Sequence, residues 1–560
     1  MESRWLRMFL FFVVIPAFLG ITLKVSSAGN LGEPPSLVIP EVKAFRTRAQ
    51  AESIKGERPV NGENMLFRAK QLNRNIVAGT KANTMSDISS LVKNVAGRLV
   101  EIQRTTDNGY DSNSRGWPRD LIDSNSKTAA GQPDPDDVLP SNYGTVGMGL
   151  LMAYAMDANI VENTVTLKTD SAVFAAAKKA GDALVEADAN SLVSTDIIFL
   201  YGLSRVCSRL ANTELADKYK NAGLASLEKF AANTPADVYT YYDTIPHVTD
   251  QQRSLLKQLK LWQLASWVEV AKLYAADGGD SALDTRANGL MTKIVGCQDP
   301  AGGFYYDKPA DNKYYVRTAG HAKVVEVLKR FYDDNADYKE RLKNGLSYLK
   351  GLQYDKAYVS NDNPAMRGAF YFGGQTVATT TASGTTTVLT PWNMVTLQDQ
   401  CYGIQAMAYN FQTTWVKRDN YKSTHWAANY LIKSMTAVGP EGYEIFVDRV
   451  NFNPASDIST DAAIPRTDRN SEAIQALYYS CKEGDINRSG NIIAANALEV
   501  ARAIVRARRT GNPLPQQLNG PEIVAADRNN DYVIDDSDIE AILSDAVGEH
   551  QEQIRSFLGR

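Results

Sequence analysis

From Ser86 onward, apolar positions recur at helical spacing in stretches of about 14 to 20 residues, with Gly, Pro, Asn and Asp between them. Leu261, Leu264, Val268, Ala271 and Ala275 share one face of such a stretch, and Leu342, Leu346, Leu349 and Leu352 lie close together in another. Further stretches begin near Ser86, Tyr143, Ser171, Ser194, Asp217, Asp284, Gly320, Thr396, Tyr421 and Arg469. The pattern predicts about a dozen helices within residues 60–482, an all-α domain. Strand content is expected to be slight. Gln375 to Thr381 and Thr385 to Leu389 are Thr/Val-rich runs around Ala382-Ser383-Gly384, which predicts a hairpin.

Several predicted helices end in Gln and lead to a glycine followed by an aromatic residue. Gln103 precedes Gly109-Tyr110, Gln298 precedes Gly302-Gly303-Phe304, and Gln353 closes a third helix. An amide at a helix end can bond exposed backbone groups while the ring packs over it. This repeat resembles that of the terpenoid-cyclase and prenyltransferase type of α/α toroid, which also houses toroidal pectate lyases. The resemblance implies an (α/α)6 toroid of six helical hairpins, with an open solenoid of helix pairs as the alternative.

Residues 483–560 carry a different pattern. Asp485, Asn487, Ser489, Asn491 and Asn496 stand at positions 1, 3, 5, 7 and 12 of a calcium loop, and Asp527, Asn529, Asp531, Val533 and Asp538 repeat that spacing. Ile492 and Ile534 supply the apolar eighth position, and a helical stretch follows each loop. Calcium takes six to eight oxygen ligands, which such a loop gathers. The pair resembles a dockerin module, EF-hand-like and calcium-folded. The resemblance implies bound Ca2+ and a cohesin-like protein partner. The first loop has Asn496 where the family usually has Asp, and in the second Tyr532 replaces the turn glycine.

At the other end, Arg4 and Arg7 precede an apolar run from Met8 to Leu23, and Ser26-Ser27-Ala28 offers small residues for cleavage. Residues 1–28 therefore read as a signal peptide, residues 29–59 as a polar segment, and the protein as secreted, with no membrane span in the mature chain. The net charge of −4 gives no global attraction to nucleic acid. Cys207, Cys297, Cys401 and Cys481 lack CxxC spacing; they either pair or stay as buried thiols.

In a helical toroid, loops at one end of the inner helices surround a depression, so site residues are sought in long loops. Four segments qualify. Trp117, Arg119 and Asp120 form one group; Tyr241, Tyr242, Asp243 and His247 a second; Tyr305 and Tyr306 a third; Arg466, Asp468, Arg469 and Glu472 a fourth. Asp399, beside Gln398 on a predicted inner helix, adds another carboxylate.

Aromatic faces stack on sugars while arginines and carboxylates hold hydroxyls or uronate groups, so Trp117, Arg119, Asp120, Tyr241, Tyr242, Tyr305 and Tyr306 are expected to bind a polysaccharide. Asp468, Glu472, Arg466, Arg469, Asp243, His247 and Asp399 are the catalytic candidates of a polysaccharide lyase, which removes a proton beside a neutralised carboxylate, or of a glycoside hydrolase, which needs two carboxyl groups. The rival expectations are a non-catalytic carbohydrate-binding or scaffold protein anchored through its calcium module, and a toroid with a lipid ligand.

Overall fold

The computed structural model describes residues 77–557 apart from 79–80, 104–115, 119–120, 122–141, 162–163, 188–191, 233–249, 279, 311, 355–365, 382–383, 393–394, 411–416, 439–441, 448, 454–457, 463–464, 482–484, 487–493, 511–517, 519 and 530. Among these, the first half of the helices is α1 (Met85–Glu101), α2 (Asn142–Met156), α3 (Ala172–Glu186), α4 (Ser194–Arg209), α5 (Thr213–Ala232) and α6 (Asp250–Gly278). The alternation continues with α7 (Ser281–Val295), α8 (Thr318–Tyr332), α9 (Ala336–Gly351), α10 (Leu397–Asn410), α11 (Lys417–Ser434) and α12 (Thr467–Cys481). Every helix that the apolar spacing predicts has its counterpart here.

The even-numbered helices close a circle. α2 packs on α4, α4 on α6, α6 on α8, α8 on α10, α10 on α12, and α12 returns to α2. Each odd-numbered helix packs outside, on the inner helix that follows or precedes it. This closed double ring is the (α/α)6 toroid, and the return of α12 to α2 excludes the open solenoid.

Burial follows from position. Outer α1 hides one stripe, Ile88, Leu91, Val92, Val95 and Leu99, and its first turn is capped by the Thr84 hydroxyl, which accepts from Asp87 N. Inner α8 is buried on all sides from Thr318 to Leu328, as a helix walled by neighbours must be. Two glycines let α2 approach both its inner neighbours. A Cβ at Gly144 would lie 2.3 Å from the Thr195 carbonyl carbon of α4, and one at Gly149 2.0 Å from Ser471 Oγ of α12.

The glutamines after α1, α7 and α9 tie neighbouring outer helices together. Gln103 Nε2 donates to Ala176 O in α3 at 3.0 Å, Gln298 Nε2 to Arg341 O in α9 at 2.8 Å, and Gln353 Nε2 to Ser423 O in α11 at 2.9 Å. The expected contact of these amides with backbone is present, and its partner is the next outer helix.

Connections are unequal at the two ends of the ring. Those from inner to outer helices carry only one described hairpin, β2 (Asn159–Val161) with β3 (Thr164–Thr166). Those from outer to inner helices are long except between α3 and α4. They hold β4 (Asp307–Ala310), β5 (Lys313–Arg317), β6 (Gly373–Thr381) and β7 (Gly384–Pro391), which form one antiparallel sheet in that order. β8 (Thr436–Val438) and β9 (Glu444–Phe446) join β1 (Val77–Ala78) in a second sheet, and β10 (Arg449–Asn453) pairs with β11 (Ile458–Ala462). The predicted hairpin is β6–β7; its extension by β5 and β4 makes strand content larger than expected. Of the loop groups singled out in the sequence, Tyr305 and Tyr306 fall on such a connection, whereas Asp468, Arg469 and Glu472 stand in the first turns of α12, with Arg466 just before it.

The C-terminal segment is packed on the ring. α13 (Ala494–Thr510) and α15 (Asp536–Phe557) pack together, while the short α14 (Gly520–Ala526) lies against α1, α2 and α12, where the ring closes. Val165 N donates to Tyr532 O at 2.7 Å, Thr164 bridges Val533, and the Arg209 guanidinium lies 3.6 Å from the Tyr532 ring centroid. The four cysteines are buried and form no disulfide with one another. No helix among the described residues is long and apolar enough to cross a membrane. The expected signal and polar segments lie outside the described residues.

Candidate active site at the mouth of the ring

The first turns of α8, α10 and α12 are built alike. In each, the fourth residue accepts the backbone N–H of a phenylalanine from the preceding connection: Phe304 N donates to His321 Nδ1 at 3.0 Å, Phe370 N to Gln400 Oε1 at 2.7 Å, and Phe446 N to Asn470 Oδ1 at 2.8 Å. The three phenylalanines are fully buried. These bonds pin the long connections to the helix starts. His321 Nε2 also meets Gly345 O at 2.8 Å, and burial pushes the imidazole down to about 4, so it is a neutral structural residue.

A second device joins neighbouring inner helices. Asp399, the third residue of α10, accepts Ala319 N of α8 at 2.8 Å, and Asp196, the third residue of α4, accepts Gly144 N of α2 at 2.8 Å. Each carboxylate thereby satisfies a donor that its neighbour's first turn leaves over. Asp399 also accepts from the Thr396 hydroxyl and from Arg317 Nε at 3.4 Å. Burial raises its pKa, against the opposing pull of Arg317. Its carboxyl group thus helps to hold α8 and α10 together.

Around that layer lies a connected polar cluster. Arg317 Nη2 donates to Gln398 Oε1 at 2.8 Å, and Gln398 Nε2 donates to Glu472 Oε1 at 3.1 Å. Glu472 also accepts from Tyr402 OH at 3.3 Å and from Arg469 Nη1 at 3.1 Å. The Tyr402 ring meets Trp262 of α6 edge-on, with centroids 5.5 Å apart. Burial raises the Glu472 pKa and the neighbouring Asp468 charge adds to this, while Arg469, Gln398 and their hydrogen bonds pull it back. Asp468 takes a two-point contact from Arg466, 3.0 Å from Nε and 2.7 Å from Nη2. The Arg466, Asp468 and Arg469 side chains keep 19, 14 and 13 % of their surface in solvent, whereas Glu472 keeps 4 %, so the first three face the mouth and the last lies behind them.

The structure brings together Arg466, Asp468, Arg469 and Glu472 as the sequence groups them. It adds Arg317, Tyr402 and Trp262. Gln398 and Tyr402 stand four apart on α10, the spacing of one helical face; that was the available signal for Tyr402. Arg317 and Trp262 carry no local signal, because α8 and α6 bring them in from distant sequence. Trp117 is a correction: it is fully buried and its indole donates to Leu99 O at 2.7 Å, so it packs in the core and offers no face to a sugar. Tyr305 and Tyr306 are half-buried beside the sheet. Arg119, Asp120, Tyr241, Tyr242, Asp243 and His247 lie outside the described residues.

In the tail, Asn487, Ser489 and Asn491 also lie outside the described residues, while Asp485 and Asn496 are buried and 3.1 Å apart. The second loop is described except for Asn530. Its sixth residue, Tyr532, has φ of 67°. Tyr532 N meets Asp527 Oδ1 at 3.4 Å, Val533 N meets Asp531 Oδ1 at 2.8 Å, and Asp538 accepts Arg528 N, Asn529 N and Asp535 N. Ile534 is fully buried. No three His, Cys, Asp or Glu side chains among the described residues gather closely enough to hold a metal ion.

No protein-family model and no curated protein matches this chain. Among solved structures, an unsaturated glucuronyl hydrolase of Bacillus sp. GL1, described as responsible for degradation of glycosaminoglycan, is 11 % identical, with 69 % of this chain and 95 % of that one covered at a TM-score of 0.44. An unsaturated glucuronyl hydrolase of Streptococcus agalactiae is 13 % identical over 75 % of this chain and 96 % of its own, at 0.43. A glycosyl hydrolase family 88 protein of Bacteroides vulgatus is 12 % identical over 64 % and 97 %, at 0.32. Likenesses of this depth decide neither substrate nor chemistry for this chain.

Proposed function

We propose that this protein is a carbohydrate-active enzyme whose reaction takes place at the mouth of the ring, with Glu472 as proton donor. The observation that carries the reading is the contrast between two neighbouring carboxyl groups. Glu472 is buried and raised, which favours its protonated form, whereas Asp468 lies forward of it in a two-point pair with Arg466. A buried, raised acid beside a more exposed, arginine-paired carboxylate is the setting of a proton donor and its companion. Arg466 and Arg469 at the rim suit a substrate bearing carboxylates, and either glycosidic hydrolysis or uronate elimination would use a proton donor placed there.

The test is product analysis on acidic and neutral polysaccharides and on short oligosaccharides ending in an unsaturated uronate, following unsaturated products and reducing ends together. The wild type should turn over at least one, and Glu472→Gln, with an unchanged melting curve, should lose about 10²- to 10⁴-fold in rate. Glycan binding without turnover would favour the scaffold reading, and a fully active Glu472→Gln would remove Glu472 from the chemistry.

We propose further that the second tail loop binds calcium. The order of Asp527, Asn529, Asp531, the Val533 carbonyl and Asp538 supports this, as does the left-handed turn at Tyr532 where such loops usually place glycine. Calcium should raise the melting temperature and chelator should lower it, because an ion bound to the folded form alone is linked to folding. Asp527→Ala with Asp538→Ala should abolish the response; identical melting curves in calcium and chelator would overturn the assignment. Nothing in the described residues bears on a cohesin-like partner.

A further inference from the structure

We infer that Gln398 and Tyr402 are positioning residues that fix which oxygen of Glu472 carries its proton: Oε2, the oxygen on the side of the mouth. The inference rests on the reading of Glu472 as proton donor and goes beyond it, because it assigns the side from which a substrate oxygen must approach.

The orientation of the Gln398 amide is set from behind. Arg317 has only donors to offer and places Nη2 at 2.8 Å, so the Gln398 atom facing it is Oε1. An amide whose oxygen is committed on one side presents its NH2 on the other, and Nε2 meets Glu472 Oε1 at 3.1 Å. Arg317 is itself anchored. Its guanidinium lies 4.5 Å from the Phe372 ring centroid, and its Nε donates to Asp399, which accepts Ala319 N from the first turn of α8. A line of contacts thus runs from the backbone of one inner helix to a single carboxyl oxygen of another.

The same oxygen has a second donor. Tyr402, one turn beyond Gln398 on α10, brings its hydroxyl to 3.3 Å from Glu472 Oε1. Two donors take both lone pairs of Oε1, so it acts as the carbonyl oxygen, and a proton on the carboxyl group belongs on Oε2. The two sides of the group also differ in access. Gln398 and Tyr402 are buried, whereas the partner of Oε2 is Arg469 Nη1 at 3.1 Å, and the Arg469 side chain reaches solvent at the mouth. The proton therefore faces the side that a substrate enters.

In the transfer, the Oε2–H bond breaks and its proton passes to the glycosidic oxygen, which also takes the electron pair of the breaking C–O bond. Glu472 is left as a carboxylate, and its charge meets donors already in place, Gln398 and Tyr402 on one oxygen and Arg469 on the other. Removing a donor from Oε1 should lower kcat and spare KM, because the interaction strengthens only as that charge develops.

Infrared difference spectroscopy of the full chain at acid pH reads the place of the proton without requiring turnover, the C=O band of Glu472 being the one that Glu472→Gln removes. A carbonyl that loses a hydrogen-bond donor stretches at higher frequency. Gln398→Met, which keeps the side-chain volume, and Tyr402→Phe, which keeps the ring against Trp262, should each move that band up while leaving the melting curve in place. On a substrate that is turned over, each should lower kcat about tenfold or more and hold KM within about twofold. A Glu472 band that stays in place or moves down in both variants would overturn the assignment, as would an unchanged kcat in both where Glu472→Gln loses its rate. The two readings fail separately: an upward shift with a fully active Glu472→Gln removes the acid from the chemistry and keeps its proton on Oε2, and a stationary band with an inactive Glu472→Gln does the reverse.

Discussion

Glu472 and Asp399 are buried acids linked through Arg317 and Gln398, both raised by burial, and their partners divide their roles. Asp399 accepts a backbone N–H from α8, the Thr396 hydroxyl and Arg317 Nε, contacts that fix it between α8 and α10. Glu472 takes its bonds from side chains, Gln398, Tyr402 and Arg469, which can move with a ligand. Arg469 is the informative neighbour. Its charge holds the Glu472 pKa down against burial, so Arg469→Gln should raise that pKa further. If the protonated acid is the working form, the alkaline limb of kcat against pH should then move to higher pH, even as KM for an acidic substrate rises. A limb that stays in place, or moves to lower pH, would show that Glu472 does not donate the proton.

Among elements, the ring is held by carboxylates placed three residues into an inner helix, where they answer the open donors of the helix beside them. Asp196 does this between α4 and α2, taking Gly144 N at 2.8 Å and Val193 N at 3.1 Å. Burial pushes its pKa up to about 7 despite both bonds. An unfolded aspartate titrates near 4, so between about pH 4 and about pH 7 the folded chain holds a proton that the unfolded chain releases. The associated stability is full below that window and is lost as pH rises through about 7. Asp196→Asn should therefore flatten the fall in melting temperature across the window, and wild-type and variant profiles that run parallel would count against it. The helices themselves were legible because apolar spacing is local and survives without a fold. The role of Asp399 was not: a carboxylate beside Gln398 on an inner helix reads equally as catalyst or as cap until α8 is seen to present Ala319 N to it. Trp117 failed for the same kind of reason, since a loop tryptophan between Gly116 and Pro118 carries no mark of the Leu99 carbonyl that holds it. The β6–β7 hairpin was readable from its Thr/Val runs and central glycine, whereas β5 pairs with β6 across some 60 residues of intervening sequence, which no local pattern reveals.

For the molecule as a whole, the tail is part of the ring's closure. α14 covers the place where α12 returns to α2, and a Cβ at Gly520 would lie 1.6 Å from Met156 O, so the backbones there are in direct contact. Tyr532 is the residue to test. Its left-handed backbone costs about 1–2 kcal/mol in a side chain other than glycine. Its ring lies over Arg209, which in turn donates to Val165 O at 2.9 Å on the β2–β3 hairpin. A cation over an aromatic face contributes about 0.5–1 kcal/mol when exposed and about 2 when shielded. The two effects nearly offset, so Tyr532→Gly, which removes both, should leave stability almost unchanged. Tyr532→Ala keeps the backbone cost and removes the ring, and should destabilise by about 1–2 kcal/mol. A double-mutant cycle with Arg209→Ala, read by urea denaturation, isolates the contact: coupling of at least about 0.5 kcal/mol is expected between residues 323 positions apart (532 minus 209). Strict additivity would mean that the tail lies on the ring without being held by this pair.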